Sequence, residues 1–187
     1  NVDYSWNNLF KCYEKVCDHQ NEVNLYIFDI DNTLLKEGAS SDDICQYLNE
    51  NKAFKYYVLN SSREFNDDNR ELMERLSGSV FISENGLHIY RKSIINLEWE
   101  NYVKDHLNYS IIEECYKHFH SCFPNIRVAI THANTLVIWR NGITNFDEIV
   151  TYIKEKLPDD IFELIITTKH IKILNRWVNK RTAADFI

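Results

Sequence analysis

The stretch Asn24-Leu-Tyr-Ile-Phe-Asp29-Ile-Asp31-Asn-Thr33-Leu-Leu35 decides the fold. It opens as a continuous apolar run and ends in acid. A run without polar alternation marks a strand buried on both faces, as in a parallel sheet. Two carboxylates two residues apart on an extended segment, Asp29 and Asp31, point to the same side. Ligands of open α/β sheets gather at the carboxyl ends of the strands, where this pair stands. Two acids aimed into one pocket repel each other, a cost that a cation or a reaction offsets. The bland alternative is a strand end followed by a solvated Asp/Asn turn.

Working outward, Trp6–Asp18 carries apolar residues at helical spacing and reads as a leading helix. Downstream, Ser41–Asn49 reads as a helix capped by Ser40 or Ser41, Phe54–Leu59 as a second buried strand, Phe65–Leu76 as a helix and Ser79–Ile82 as a third strand. Gly86–Tyr90 follows as a short hairpin partner. This alternation predicts an α/β core with a doubly wound parallel sheet. Then the pattern changes. Trp99–Leu107 and Ser110–Phe123 read as helices, Arg127–Thr131 and Thr135–Arg140 as paired strands, Phe146–Leu157 as a helix, and Phe162–Thr167 and His170–Asn175 as two more strands. Asn141-Gly142 offers a turn. The expected organisation is a core over residues 1–90, an inserted α+β cap over 91–170 and a return to the core over 171–187.

Three later strings bear on the acid pair. Tyr57-Val-Leu-Asn-Ser61-Ser62-Arg63 places hydroxyls at the end of the second strand. A hydroxyl there can bond a phosphoryl oxygen, with backbone amides helping, or it can cap a helix. Ser83-Glu84-Asn85-Gly86 follows the third strand and reads equally as an Asn-Gly turn. Val178-Asn179-Lys180-Arg181-Thr182-Ala183 opens the last helix with a lysine.

Taken together these strings resemble the signatures of the haloacid dehalogenase superfamily, and the Glu-Asn-Gly stretch resembles that of its Cof-type and trehalose-phosphatase-like sugar phosphatases. The resemblance implies that Asp29 is a nucleophile forming an aspartyl-phosphate and that Asp31 is the general acid and base. It implies that Thr33 orients the loop and that Asp29, Thr33, Ser61, Ser62 and Lys180 hold the phosphoryl group. It further implies Mg²⁺ on the Asp29 carboxylate and the Asp31 backbone carbonyl. Two positions depart from the pattern: Ser62 and Arg181 stand where glycine is usual. A cap between the second and third signatures implies substrate selection by that lobe. Its polar residues His132, Asn134, Arg140 and Lys169, with Arg63 and Asn85 on the core, are candidate substrate contacts or simply exposed turn residues.

A fourth, acidic signature is expected after the helix that Lys180 opens, and the sequence ends at Ile187. The core is therefore expected to continue, and residues 1–187 alone are expected to be weakly active. The first residue is Asn1, so the start also reads as trimmed. The function expected is an Mg²⁺-dependent phosphatase of a small phosphorylated metabolite, most simply a sugar phosphate. The competing reading is a phosphate-binding or protein-interaction module that has lost its metal site.

Bulk properties narrow the classes. Over 187 residues the net charge is −7 and 44% of residues are hydrophobic. That balance, with no basic run, argues against nucleic acid as a partner. No apolar stretch is long enough to span a membrane. The five cysteines, Cys12, Cys17, Cys45, Cys115 and Cys122, are irregularly spaced and read as reduced thiols of a cytoplasmic protein. A zinc reading of Cys115, His118, His120 and Cys122 is the weaker one, because helical spacing puts Cys115, Phe119 and Cys122 on one face. Oligomeric state is not encoded in any motif.

Overall fold

The computed structural model describes residues 25–31, 33, 41–50, 56–75, 79–140 and 146–187. The expected helix Trp6–Asp18, residues Asn32, Leu34 and Leu35 of the first motif and the turn at Asn141-Gly142 lie outside the described residues.

The first layer is a five-stranded sheet of β1 (Leu25–Asp29), β2 (Tyr56–Asn60), β3 (Ser79–Ser83), β4 (His88–Arg91) and β5 (Ile94–Ile95), in that spatial order. β1, β2 and β3 are parallel, with Asp29 level with Asn60 and Asn60 level with Ile82. β4 pairs antiparallel with β3, as the hairpin expected at Gly86–Tyr90, and β5 pairs antiparallel with β4, so the parallel core ends in a mixed edge. The reason is local. Glu84, Asn85 and Gly86 all take positive φ and fold the chain back on β3 at once, where a parallel return needs a long crossover.

α1 (Ser41–Glu50) lies between β1 and β2 in the chain, and α2 (Asp67–Arg75) between β2 and β3. Alternation along the strands splits the core in two. Tyr26, Phe28, Tyr57, Leu59 and Phe81 face Cys45 and Leu48 of α1. Val58, Ile82 and Ile89 face Trp99 and Val103 of α3 (Leu97–His106) and Ala183 of α6 (Lys180–Phe186). Helices thus cover both faces, the architecture of an α/β fold. Phe65, expected to begin α2, precedes it and stacks on Tyr90 at 3.9 Å between ring centres.

The second layer is an antiparallel sheet of β6 (Val128–His132), β7 (Thr135–Trp139), β9 (His170–Asn175) and β8 (Phe162–Ile166), in that order. One face packs on α4 (Tyr109–Cys122) and α5 (Phe146–Lys156) through Ile112, Phe119, Leu136, Ile138, Ile149 and Ile173. The other face carries buried Val137 beside half-buried Lys172 and Leu174 and exposed Glu163 and Ile165.

β5 pairs with β4, and α3 packs on the first sheet. β9 is an interior strand of the second sheet, between β7 and β8. The apolar stripe of α3 and the alternation of β9 show that a face is buried; neither shows which sheet buries it.

Candidate active site

Asp29 closes β1, and the chain turns at Ile30, whose N–H donates back to Asp29 Oδ1 at 3.1 Å. Lys180 Nζ donates to the same oxygen at 2.9 Å across 151 positions of sequence. Asp31 is gripped by Arg63: Nη2 donates to Oδ1 at 2.6 Å and Nε to both oxygens at 3.1 Å. The predicted repulsion between the two acids is therefore met by one cation each. The Asp31 bond is the main cause holding the Arg63 guanidinium above its ordinary range. Both pairs stay between a third and a half exposed, so solvent screens them and the carboxylates remain reachable.

Ser61 is fully buried at the end of β2. Its N–H donates to Ile82 O, its carbonyl accepts from Asn85 N–H, and its hydroxyl oxygen accepts from Arg63 N–H at 3.1 Å. Ser62 is exposed and Thr33 half-buried. Asn60, which motif reading passed over, donates from Nδ2 to the carbonyl of Lys180 at 3.0 Å and ties the lysine's backbone to β2.

The Glu84–Gly86 turn sets the height of Lys180. Gly86 has φ +95°, and a Cβ there would stand 2.3 Å from the Asn179 carbonyl carbon and oxygen. Only glycine allows the turn to press against the start of α6. Asn179 caps that helix: its Oδ1 accepts from the N–H of Arg181 and Thr182, and its own N–H donates to Thr182 Oγ1.

From the cap, buried Asn134 donates through Nδ2 to Asn85 O at 3.0 Å and to Val178 O at 2.9 Å. Thr135 Oγ1 fixes the amide by donating to its Oδ1. Asn175 Oδ1 accepts from the N–H of Trp177 and Val178. The face of β8 and β9 away from α4 and α5 bounds a cleft of about 360 Å³, with Glu163, Ile165 and Lys172 on the cap side and Asn85 and Lys180 on the core side. His132 is half-buried. Burial pushes its imidazole below the ordinary value, with Lys172 and Lys180 adding to that and Glu84 and Glu64 opposing it.

The structure therefore gathers Asp29, Asp31, Ser61, Arg63 and Lys180 at the strand ends, and ties Asn85 to Asn134 beside them. It does not bring Arg140 or Lys169 there. Arg140 follows the end of β7 remote from Thr135, roughly 15 Å along the strand; it donates to Thr167 O and lies over the Phe146 ring. Lys169 is an exposed turn residue at that same end. Arg63 serves Asp31, where a substrate contact was expected. Glu163 and Lys172 went unnoticed because strand alternation marks them as outward without telling what they face.

No group of three or more His, Cys, Asp or Glu side chains able to hold a metal occurs among the described residues. Asp29 and Asp31 offer the hard oxygens that Mg²⁺ prefers, but only as a pair. On α4, Cys115 and Phe119 are buried as expected, whereas Cys122 is exposed with its Sγ 3.8 Å from His118 Nδ1.

No family model and no curated protein matches the sequence. Solved structures do match. The sucrose-phosphatase of Synechocystis sp. PCC6803, solved with sucrose and phosphate, superposes with a TM-score of 0.59 at 18% identity over 87% of this chain and 68% of that one. A trehalose-6-phosphate phosphatase related protein gives 0.55 at 17% identity over 87% and 72%. The C-terminal domain of the Candida albicans trehalose synthase regulatory protein gives 0.58 at 13% identity over 94% and 64%. The chain has the haloacid dehalogenase fold. Within that fold the neighbours include phosphatases and a regulatory protein, so the fold alone does not fix the activity. No helix among the described residues is long and apolar enough to cross a membrane.

Proposed function

We propose that the protein is a phosphomonoester hydrolase acting on a small phosphorylated metabolite of the sugar-phosphate type. The observation that carries this reading is the 2.9 Å contact of Lys180 Nζ with Asp29 Oδ1, made beside the buried Ser61. A lysine brought from 151 positions downstream to a carboxylate at a strand tip sets a cation beside a nucleophile, the pairing that charge development in phosphoryl transfer calls for. In it, an Asp29 oxygen attacks phosphorus and the bond from phosphorus to the ester oxygen breaks. Asp31 gives its proton to the departing alkoxide. A water then attacks the aspartyl-phosphate, Asp31 takes a proton from it, and Asp29 is regenerated as inorganic phosphate leaves. Lys180 offsets negative charge on the phosphoryl oxygens, and the Ser61 hydroxyl and neighbouring amides orient them. Mg²⁺ on the Asp29 carboxylate and the Asp31 carbonyl would supply further shielding of that charge. Arg63 must release the Asp31 carboxylate before Asp31 can carry a proton.

The test is Mg²⁺-dependent release of p-nitrophenol from p-nitrophenyl phosphate by the protein and by Asp29→Asn. Loss of turnover in the variant supports the nucleophile; turnover equal to that of the parent refutes it. A second reading, a phosphate-binding module without turnover, is favoured by the two-handed grip of Arg63 on Asp31. It predicts that inorganic phosphate binds while no ester is hydrolysed.

A further inference from the structure

We infer that the cleft takes a phosphorylated metabolite with a second anionic group, held by Lys172 on the cap; this rests on the phosphatase reading for the identity of the first anion. Lys172 sits mid-strand in β9, level with Val137 of β7 and Ile165 of β8 on the face of the cap sheet away from α4 and α5. It is half-buried there, and it faces the same cleft as Lys180. Its backbone pairs within the sheet, and among the described residues its side chain makes no hydrogen bond and no ion pair.

A half-buried ammonium without a counter-charge costs free energy that a threonine or valine at the same position would not. Its charge is felt nearby: after burial, Lys172 is among the causes that push the His132 and His170 imidazoles below their ordinary values. Two neutral imidazoles cannot balance it. Lys180 is committed to Asp29, and Arg181 leans on Asp185 at 3.8 Å. Glu163 is the one carboxylate on the cleft wall and lies beyond salt-bridge distance of Lys172. The cleft thus has Lys172 without a counter-charge on the cap wall, flanked by apolar Ile165 and Leu174, and on the core wall Lys180, paired with Asp29. A neutral sugar hydroxyl would accept a hydrogen bond from Lys172 and leave its charge standing. A carboxylate or second phosphate, separated from the first by a short carbon chain, would neutralise it. Phosphorylated sugar acids and sugar bisphosphates have that form.

The experiment compares 6-phosphogluconate with glucose 6-phosphate. KM is measured by phosphate release with the native protein, and Kd by calorimetry with Asp29→Asn, which prevents turnover. The expected result is about tenfold tighter binding of 6-phosphogluconate, since one charge-assisted contact is worth about that factor. Lys172→Met keeps the stem, removes the charge and should bring the ratio to about one. Equal affinity in the native protein overturns the inference, as does a preference that survives in Lys172→Met. If no ester is hydrolysed and the calorimetric preference stands, the phosphatase reading fails alone; hydrolysis without preference sinks this inference alone.

Discussion

At the scale of single residues, Gly86 decides more than its size suggests. It turns the chain at φ +95° in van der Waals contact with the peptide that precedes Lys180. Gly86→Ala should therefore strain the backbone and push Asn179 away. The expected loss is about 2–4 kcal/mol from overpacking and positive φ together. Thermal melting should show it as a fall in Tm of roughly 5–15 °C, and any surviving phosphatase activity should fall with it. An unchanged melting temperature would mean that the turn and α6 are not in contact. The sequence displays this glycine inside an ordinary-looking Asn-Gly pair; its neighbour 93 positions on is invisible there. Arg63 is a similar case. Its place after Ser61 was readable from the motif, whereas its bidentate hold on Asp31 depends on β1 and β2 lying side by side.

At the scale of elements, the turn between β6 and β7 fastens the cap to the start of α6. Asn134 carries two of its bonds, to Asn85 O and Val178 O. Asn134→Ala would leave the buried Val178 carbonyl and the part-buried Asn85 carbonyl without their donor, at about 1–3 kcal/mol. It should also loosen the segment that presents Lys180. Lys180→Ala provides the control: because Asn134 acts through Lys180, the double variant should lose no more phosphate affinity than Lys180→Ala does. Calorimetry with inorganic phosphate reads this directly, and additive losses would show that Asn134 has only a structural role. Helix and strand ranges were largely legible from periodicity. The helix expected over Ser110–Phe123 runs over Tyr109–Cys122, and the strand His170–Asn175 agrees at both ends. Partnership was not legible: β9 joined the cap sheet, and α3 joined the core.

At the scale of the molecule, two sheets share one seam. Val178 and Ala183 are buried in the same cluster as Val58 and Ile82 of the core sheet, with Ala133 of the cap turn packed against them. Trp99 donates to Gly86 O at 3.1 Å inside that cluster and stacks on Tyr102. Such a seam couples the layers. We therefore expect urea unfolding to be a single transition, coincident by far-ultraviolet circular dichroism and tryptophan fluorescence. Two separated transitions would show that the cap melts independently of the core.

The sequence by itself determined the buried strand that ends in Asp29, the alternation that makes an α/β core and the presence of an α+β lobe. Each is a local property: burial on two faces, helical spacing and strand alternation are written in residues a few positions apart. Tertiary structure alone decided that Lys180 meets Asp29, that Arg63 takes Asp31, that Arg140 lies at the wrong end of β7 and that Lys172 looks into the cleft. Those facts depend on which strand lies beside which and which sheet face the helices leave uncovered. Contacts across a hundred or more positions are settled by packing, which no local pattern records.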